Sequence, residues 1–180
     1  MDAPGHPDDY LAAGLIARHG AAVAQAPAAV HQQAQFTVAY TVGDGATHWF
    51  RIADGQLQRA DGALEYCDMR LQVDADSWHA AMRADDTEWF IDYYLRGKIG
   101  IVKSLRGRVT LELGRADGGE YRAVIIFGEC ADPELTVLMT NEDFAAMMRG
   151  DLNGNMAFMS GRLRFEGSLP LLLQLGALSD

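Results

Sequence analysis

The sequence is poor in basic residues, and this shortage argues against partners that depend on a positive protein surface. Fifteen lysines and arginines stand against 25 aspartates and glutamates, so the formal net charge is −10. A protein that neutralises phosphates needs a basic surface, and we therefore expect no nucleic-acid partner. An anionic membrane surface would also repel the average charge of this chain.

Cysteine is also scarce. Cys67 and Cys130 are the two examples, and they lie far apart without a C-x-x-C spacing. In a chain of 180 residues this pattern indicates free thiols in a reducing compartment rather than a disulfide framework. The acidic first residues lack the features of a signal peptide, and no apolar run is long enough to span a bilayer. We therefore expect a cytoplasmic protein with no integral membrane segment.

The usual signatures of catalytic and metal chemistry are missing from the sequence. It contains no phosphate-binding G-x-x-x-x-G-K-[ST] loop and no G-x-S-x-G elbow. Its five histidines do not pair with each other or with a cysteine at ligand spacing. The segment DLNGN resembles the start of a calcium loop, but Met156 and Arg162 stand where that loop needs glycine and glutamate. We expect a protein that is not an enzyme and holds no metal or cofactor.

What the sequence does contain is a globular pattern of mixed helices and strands. Hydrophobic residues make up 49% of the chain and charged residues 22%, which allows a sizeable core. The alanine-rich segment up to Gln33 predicts one or two helices, broken near Gly20 or Pro27. After it, alternating apolar residues and turn signals predict hairpins and further strands, each set followed by a helix.

The two halves of the chain follow the same order of elements. MRLQVDADSWHAAMRAD in the first half aligns with LTVLMTNEDFAAMMRGD in the second, so that Trp78 falls on Phe144 and Met82 on Met148. A duplication explains this agreement economically. The predicted organisation is an N-terminal tail with helices at 1–33, a diverged unit at 34–107 and a second unit at 108–180, or one compact domain built from them.

The C-terminal part of the chain resembles a known family. From Leu135 to Leu178 it carries a T-x-E-D-F helix start, a G-x-L-x-x-x-x-A-F-x-x-G-x-L-x-x-x-G run and a leucine-rich last helix, and in these features it resembles the sterol carrier protein type 2 family. The first half is similar in a more diverged way, with Trp78 in place of the phenylalanine. The matching positions are Thr140, Glu142, Asp143, Phe144, Gly150, Leu152, Ala157, Phe158, Gly161, Leu163 and Gly167.

The resemblance implies an α+β fold with a largely antiparallel sheet, helices packed on one face and an apolar tunnel between them. Members of this family take sterols, fatty acids or fatty acyl-CoA, need no metal and are not catalytic by themselves. We therefore expect non-enzymatic binding or transfer of a fatty acid, acyl-CoA, sterol-like or isoprenoid lipid. The chain's small number of basic residues favours an uncharged or carboxylate-headed guest over a CoA ester.

The expected ligand-binding residues are the soft apolar side chains of the last 40 residues. Methionine has a flexible, polarizable side chain, so a wall rich in methionine adapts to guests of different shape. The leucine-rich C-terminal helix is expected to act as a lid. The candidate residues are Phe144, Met147, Met148, Met156, Phe158, Met159, Leu163, Phe165, Leu171, Leu172 and Leu175.

Other interpretations of the same residues stay open. These apolar faces also suit an ordinary core. In that case the protein is a filled interaction or assembly protein, which binds a protein partner or a second copy of itself through the leucine-rich residues 168–178. A third interpretation is an accessory that presents a ligand to an acyl-CoA or isoprenoid enzyme. In the first half, the aromatic cluster of Trp89, Phe90, Tyr93 and Tyr94 is expected to fill the space of a former tunnel.

Overall fold

The computed structural model describes residues 6–84 and 89–179. Its helices are α1 (Pro7–Asp9), a π-helical turn (Tyr10–Gly14), α2 (Leu15–Ala24), a 3-10 helix (Ala28–Gln32), α3 (Ala75–Ala84), α4 (Trp89–Leu95), α5 (Ile99–Ser104), α6 (Asn141–Arg149), α7 (Gly154–Met159) and α8 (Leu169–Ser179). Its strands are β1 (Phe36–Val42), β2 (His48–Ala53), β3 (Gln56–Arg59), β4 (Met69–Val73), β5 (Gly107–Gly114), β6 (Glu120–Phe127), β7 (Glu134–Thr140) and β8 (Arg164–Gly167).

All eight of these strands form one sheet, in the order β3-β2-β1-β4-β6-β5-β7-β8. Most neighbouring strands are antiparallel, whereas β1 with β4 and β5 with β7 run parallel. The predicted α+β class is confirmed. At the N-terminus the helical backbone continues through Gly20, and the predicted break occurs instead at Pro27, whose ring removes a backbone donor.

Two parts of the sheet have the same connectivity. An antiparallel hairpin (β1–β2) is followed by a parallel partner (β4) and then by α3, and β5–β6, β7 and α6 repeat this order. Val38 lies opposite Met69 in the first part, and Val109 lies opposite Leu135 in the second. Pairing between β4 and β6 joins the two parts into one sheet. A shared evolutionary origin of the two parts, and their division into separate units, stay predictions.

In the second half of the sheet, α6 and α8 pack against β5 and β7. In β5, Val109, Leu111 and Leu113 are buried, whereas the residues that alternate with them are only half-buried. Successive side chains of a strand point to opposite faces, so this alternation assigns the apolar face to the core. The second half of the sheet thus offers a continuous apolar floor to the helices that follow it.

Large side chains of the first half pack together in its core. Leu11 and Leu15 of the N-terminal helices are fully buried together with Trp78 and Tyr94. Tyr10 meets Trp78 edge-on, with 6.0 Å between the ring centroids. Of the predicted aromatic cluster, Tyr94 belongs to this core and Tyr93 is buried too. The side chains of the other two members lie outside the described residues.

Candidate functional site

Helix α6 forms one wall of the site, and local signals in the sequence fix both of its ends. The Thr140 hydroxyl accepts the Asp143 N–H at 3.1 Å and caps the first turn; Thr140 and Asn141 are the two caps that the sequence allows. At the other end Gly150 has a φ of 83°, a left-handed conformation that suits glycine. Arg162 then binds the Asp143 carboxylate with its Nε at 3.0 Å. This hydrogen bond lowers the pKa of Asp143, and the Thr140 contact adds to the effect.

Helix α7 is short and is anchored at both ends by hydrogen bonds. The Asn153 side chain accepts the Asn155 N–H at 2.9 Å, which caps the first turn. The Leu163 N–H donates to the Ala157 carbonyl at 3.0 Å, so the chain folds back under the helix. Ala157 is fully buried, whereas the side chains of Met156 and Phe158 are exposed. The helix therefore presents an apolar edge to solvent.

Helix α8 closes the site from above. It begins beside β7, where the Ser168 N–H donates to the Glu134 carbonyl at 2.9 Å. Leu171 packs over Gly107, where a β-carbon would lie only 2.9 Å from Leu171 Cδ2. At the far end of the helix, Lys98 Nζ donates to the Ala177 carbonyl at 3.4 Å. Both ends of α8 are thus attached to the rest of the fold.

Between the sheet and these three helices lies a cavity of about 300 Å³. Its floor consists of sheet residues and its roof of helix residues, most of them aliphatic, aromatic or methionine. Among the described residues that line it, there is no Asp, Glu, Lys, Arg or His. The floor residues are Val109, Leu111, Ile125, Phe127, Val137 and Met139, and the roof includes Phe144, Met147, Met148, Phe158, Leu163, Leu169, Leu172, Leu173, Leu175 and Leu178.

The polar groups of the site are at its margins. Tyr93, from α4 of the first half, lines the cavity, and its hydroxyl donates to Met148 Sδ at 3.8 Å. Arg96 donates to the backbone carbonyl of Met148, at the end of α6. The first half of the chain therefore supports the cavity of the second. Asn153 and Asn155 provide a further polar edge.

Seven of the eleven residues predicted from the sequence line this cavity: Phe144, Met147, Met148, Phe158, Leu163, Leu172 and Leu175. The structure places the other four outside its lining. Met156 and Met159 project into solvent. Leu171, a residue of α8, is buried. Phe165 packs against Phe158, with 5.7 Å between the ring centroids.

The sequence prediction overlooked the floor of the site. Strand residues such as Val109, Leu111 and Ile125 line the cavity as directly as the methionines do. Alternating apolar residues in RVTLELG and YRAVIIFG indicate this face, but their position beneath the cavity depends on how the strands pair. Tyr93 was also missed as a lining residue, because it comes from a helix of the other half.

Other kinds of site receive no support from the described part of the chain. No group of three or more His, Cys, Asp or Glu residues in 6–84 and 89–179 could hold a metal ion. None of the described helices is long and apolar enough to cross a membrane. Cys67 is buried, and burial raises the pKa of its thiol to about 11, so this thiol is not a nucleophile near neutral pH.

Comparison with known proteins identifies the part of the chain that builds the cavity. Residues 101–180 match the family model of the SCP-2 sterol transfer family. This segment is therefore similar to that family. The recognition made on the C-terminal motifs is therefore confirmed. The match includes only residues 101–107 of the diverged copy expected at 34–107, so that copy stays a prediction.

The curated relatives are much longer proteins. Human hydroxysteroid dehydrogenase-like protein 2 is 33% identical over 88 residues, which cover 44% of this chain and 21% of that protein. Peroxisomal multifunctional enzyme A of Dictyostelium discoideum is 34% identical over 98 residues, covering 47% of this chain and 22% of that protein. This chain spans about a fifth of the length of these relatives.

Two solved structures were also matched over most of this chain. Sterol carrier protein domain 2 of Helicoverpa armigera is 12% identical, with a TM-score of 0.25, and the match covers 99% of this chain and 92% of that chain. The apo form of sterol carrier protein 2 from Yarrowia lipolytica is 8% identical, with a TM-score of 0.19, covering 93% and 77%.

Proposed function

We propose that this protein binds an elongated apolar lipid in the cavity of its second half and carries it without transforming it. The cavity carries this proposal, because its lining combines a rigid sheet floor with a flexible roof of methionine and leucine. Lipid chains need mostly apolar walls with a few polar groups, and this site has that composition. The proposed ligand contacts are the seven residues predicted from the sequence that line the cavity, together with the strand residues beneath them.

The size of the cavity indicates how it would accept a long chain. Its volume of about 300 Å³ lies at the lower end of the range for small-molecule sites. Met147 and Met148 can change rotamer at low cost, and half-buried Leu172 and Leu175 belong to the covering helix. We therefore expect the roof to move outward when a lipid enters.

A second candidate function comes from the relatives. Their names describe a dehydrogenase-like protein and a multifunctional enzyme, and each is several times longer than the matched region. By this proposal the chain would present its ligand to a separate enzyme. The filled-core alternative is less favoured, because a cavity lies where that interpretation requires packed side chains.

The proposed function is tested by filling the cavity and measuring the affinity for a fluorescent fatty acid. We expect Leu175→Trp to exclude part of the fatty acid's acyl chain from the cavity. Excluding about three methylene groups costs about 2.4 kcal/mol, roughly a fiftyfold loss of affinity. Leu175→Met, which conserves volume, should bind within about threefold of the native protein.

Circular dichroism of each variant checks that the fold is intact. Tyr66→Trp serves as a control, because Tyr66 is exposed and does not line the cavity. Equal affinity of the native protein and Leu175→Trp would show that the ligand does not occupy this cavity. Absence of binding by the native protein, both as purified and after lipid extraction, would contradict the proposed function.

A further inference from the structure

The exposed apolar side chains of this protein are concentrated on two helices. Within the described residues, six large hydrophobic side chains are exposed, and five of them belong to α7 and α8. Scattered single examples are normal on a protein surface, but a continuous group indicates an interaction site. We name this group the α7–α8 patch; it consists of Met156 (62% exposed), Phe158 (48%), Met159 (83%), Leu169 (47%) and Leu173 (63%).

The patch is continuous with the cavity. Phe158, Leu169 and Leu173 are exposed to solvent and at the same time line the cavity. These three side chains therefore form the rim of an opening, and Met156 and Met159 extend the apolar surface beyond that rim. A ligand that leaves between α7 and α8 passes directly over this surface.

The helices that carry the patch are themselves uncharged. Neither GNMAFM of α7 nor LPLLLQLGALS of α8 contains a charged residue. Nearby, Arg149 pairs with Asp151 at 2.9 Å, and Arg162 pairs with Asp143. The chain as a whole carries a net charge of −10. An anionic membrane surface would repel such a protein. A membrane surface without net charge would not repel it and could bind the uncharged patch.

We propose that the α7–α8 patch docks on the surface of a zwitterionic lipid bilayer, with the opening of the cavity facing the membrane. Helices that expose Met, Phe and Leu bind at the boundary between headgroups and acyl chains, where their apolar side chains leave water. Docking in this orientation lets a lipid pass between bilayer and cavity without crossing water. This inference rests on the proposed function for its ligand, but not for the docking itself.

A membrane fits this surface better than a second protein does. A protein seated on the patch would cover the opening and block the exchange of the ligand. A fluid bilayer covers the same apolar side chains and leaves the path open, because its own molecules are the ligand or mix with it. A second copy of the chain or another protein partner is therefore the competing outcome of the test.

The test compares the native protein with Met156→Ser/Met159→Ser, because these two patch residues do not line the cavity. Binding to phosphatidylcholine vesicles is measured by flotation, and transfer of a fluorescent fatty acid to acceptor vesicles by stopped flow. Removing two exposed methionines should weaken vesicle binding about tenfold or more. We expect transfer by the native protein to speed up with acceptor concentration, and transfer by the double variant to be slow.

Tyr66→Ser is the matched control, because Tyr66 is an exposed large hydrophobic residue that lies outside the patch. It should bind vesicles as the native protein does. Equal vesicle binding by the native protein and the double variant would overturn the inference, as would binding that requires anionic lipid. A native dimer in sedimentation that the double variant abolishes would also overturn it, in favour of self-association.

Fatty-acid affinity, measured without vesicles, separates the two proposals. If the native protein binds the fatty acid but not the vesicles, the carrier function stands and membrane docking is wrong. If it binds vesicles through the patch but takes no fatty acid, docking stands and the proposed carrier function fails.

Discussion

At the scale of single residues, the ion pair between Arg162 and Asp143 sets a pH dependence that can be measured. Asp143 is nearly buried, and its pKa lies below the ordinary carboxyl value because Arg162 and Thr140 donate to its carboxylate. Because the pKa of Asp143 is lower in the folded state than in the unfolded chain, its ionisation stabilises the fold at pH values above the ordinary carboxyl pKa of about 4. This stability is lost as the pH falls through the lowered pKa of the folded state.

We therefore predict that Arg162→Met melts at a lower temperature than the native protein at pH 7, because it leaves a nearly buried carboxylate without its cation. The difference in melting temperature should shrink when the pH is lowered from 5 to 2. Arg164→Met, which removes an exposed arginine nearby, is the control and should follow the native profile. A constant difference over this pH range would show that the pair does not act through the charge of Asp143.

The residue scale also shows what the sequence could and could not predict. Phe144, Met147 and Met148 were predicted correctly to lie on one face, because helical spacing and a capping threonine locate α6 well. Met156 and Met159 have the same chemistry but point outward, because α7 is a short helix whose orientation depends on its anchors. No local pattern in the sequence distinguishes a methionine that lines a cavity from one on its rim.

At the scale of elements, α8 forms part of the cavity roof. If it acts as a lid, its stiffness should control how fast the ligand leaves. Gly176 lies within this helix beside the cavity, and a β-carbon there would meet no atom within 4 Å. Gly176→Ala should stabilise the helix by about 1 kcal/mol. If the lid must open for release, the dissociation rate of a fluorescent fatty acid should fall about fivefold.

The control for this substitution is Gly20→Ala in α2, where a β-carbon likewise meets no atom within 4 Å. It should raise the melting temperature without changing the dissociation rate, because α2 covers the other half of the sheet. Stopped-flow displacement measures the dissociation rate of the fatty acid from each of the two variants. A dissociation rate that is the same in Gly176→Ala as in the native protein would mean that the ligand leaves without opening α8.

The N-terminal helices show a second limit of sequence reasoning at this scale. Their alanine-rich pattern predicted helix correctly, and Pro27 ended it as expected. Nothing in that pattern indicated that Leu11 and Leu15 pack against the core around Trp78. Such packing depends on contacts between distant segments.

At the scale of the whole molecule, the continuous sheet predicts that both halves melt together. Five register positions between β4 and β6 join the halves, and Tyr93 and Arg96 of the first half contact Met148 of the second. All three tryptophans lie within residues 49–89, so their fluorescence reports on the first half alone. A ligand bound in the second half should nevertheless raise the melting temperature seen by tryptophan.

The size of this effect follows from mass action. A ligand at a hundred times its dissociation constant stabilises the folded state by about 2.7 kcal/mol, or roughly 5–10 °C in a domain of this length. The rise should be equal when the melting is followed by tryptophan fluorescence and by circular dichroism. A rise seen only by circular dichroism would show two units that unfold independently.

The arrangement of the whole sheet was the part least accessible from sequence. Alternation located most strands, and the order of elements suggested two similar units. The pairing of β4 with β6, which makes one sheet of eight strands, arises between segments about 50 residues apart and leaves no local signal. One compact domain was among the predicted alternatives, and no local pattern distinguishes it from two separate units.

The measurement that tests the central claim most directly is native mass spectrometry of protein purified from cells, followed by lipid extraction. We expect about one apolar ligand per chain, because the cavity of the second half has room for one such guest. Leu175→Trp should carry less of this ligand than Leu175→Met. A clean ligand-free mass, with no uptake of fatty acid afterwards, would contradict the account and return attention to a partner that binds α8.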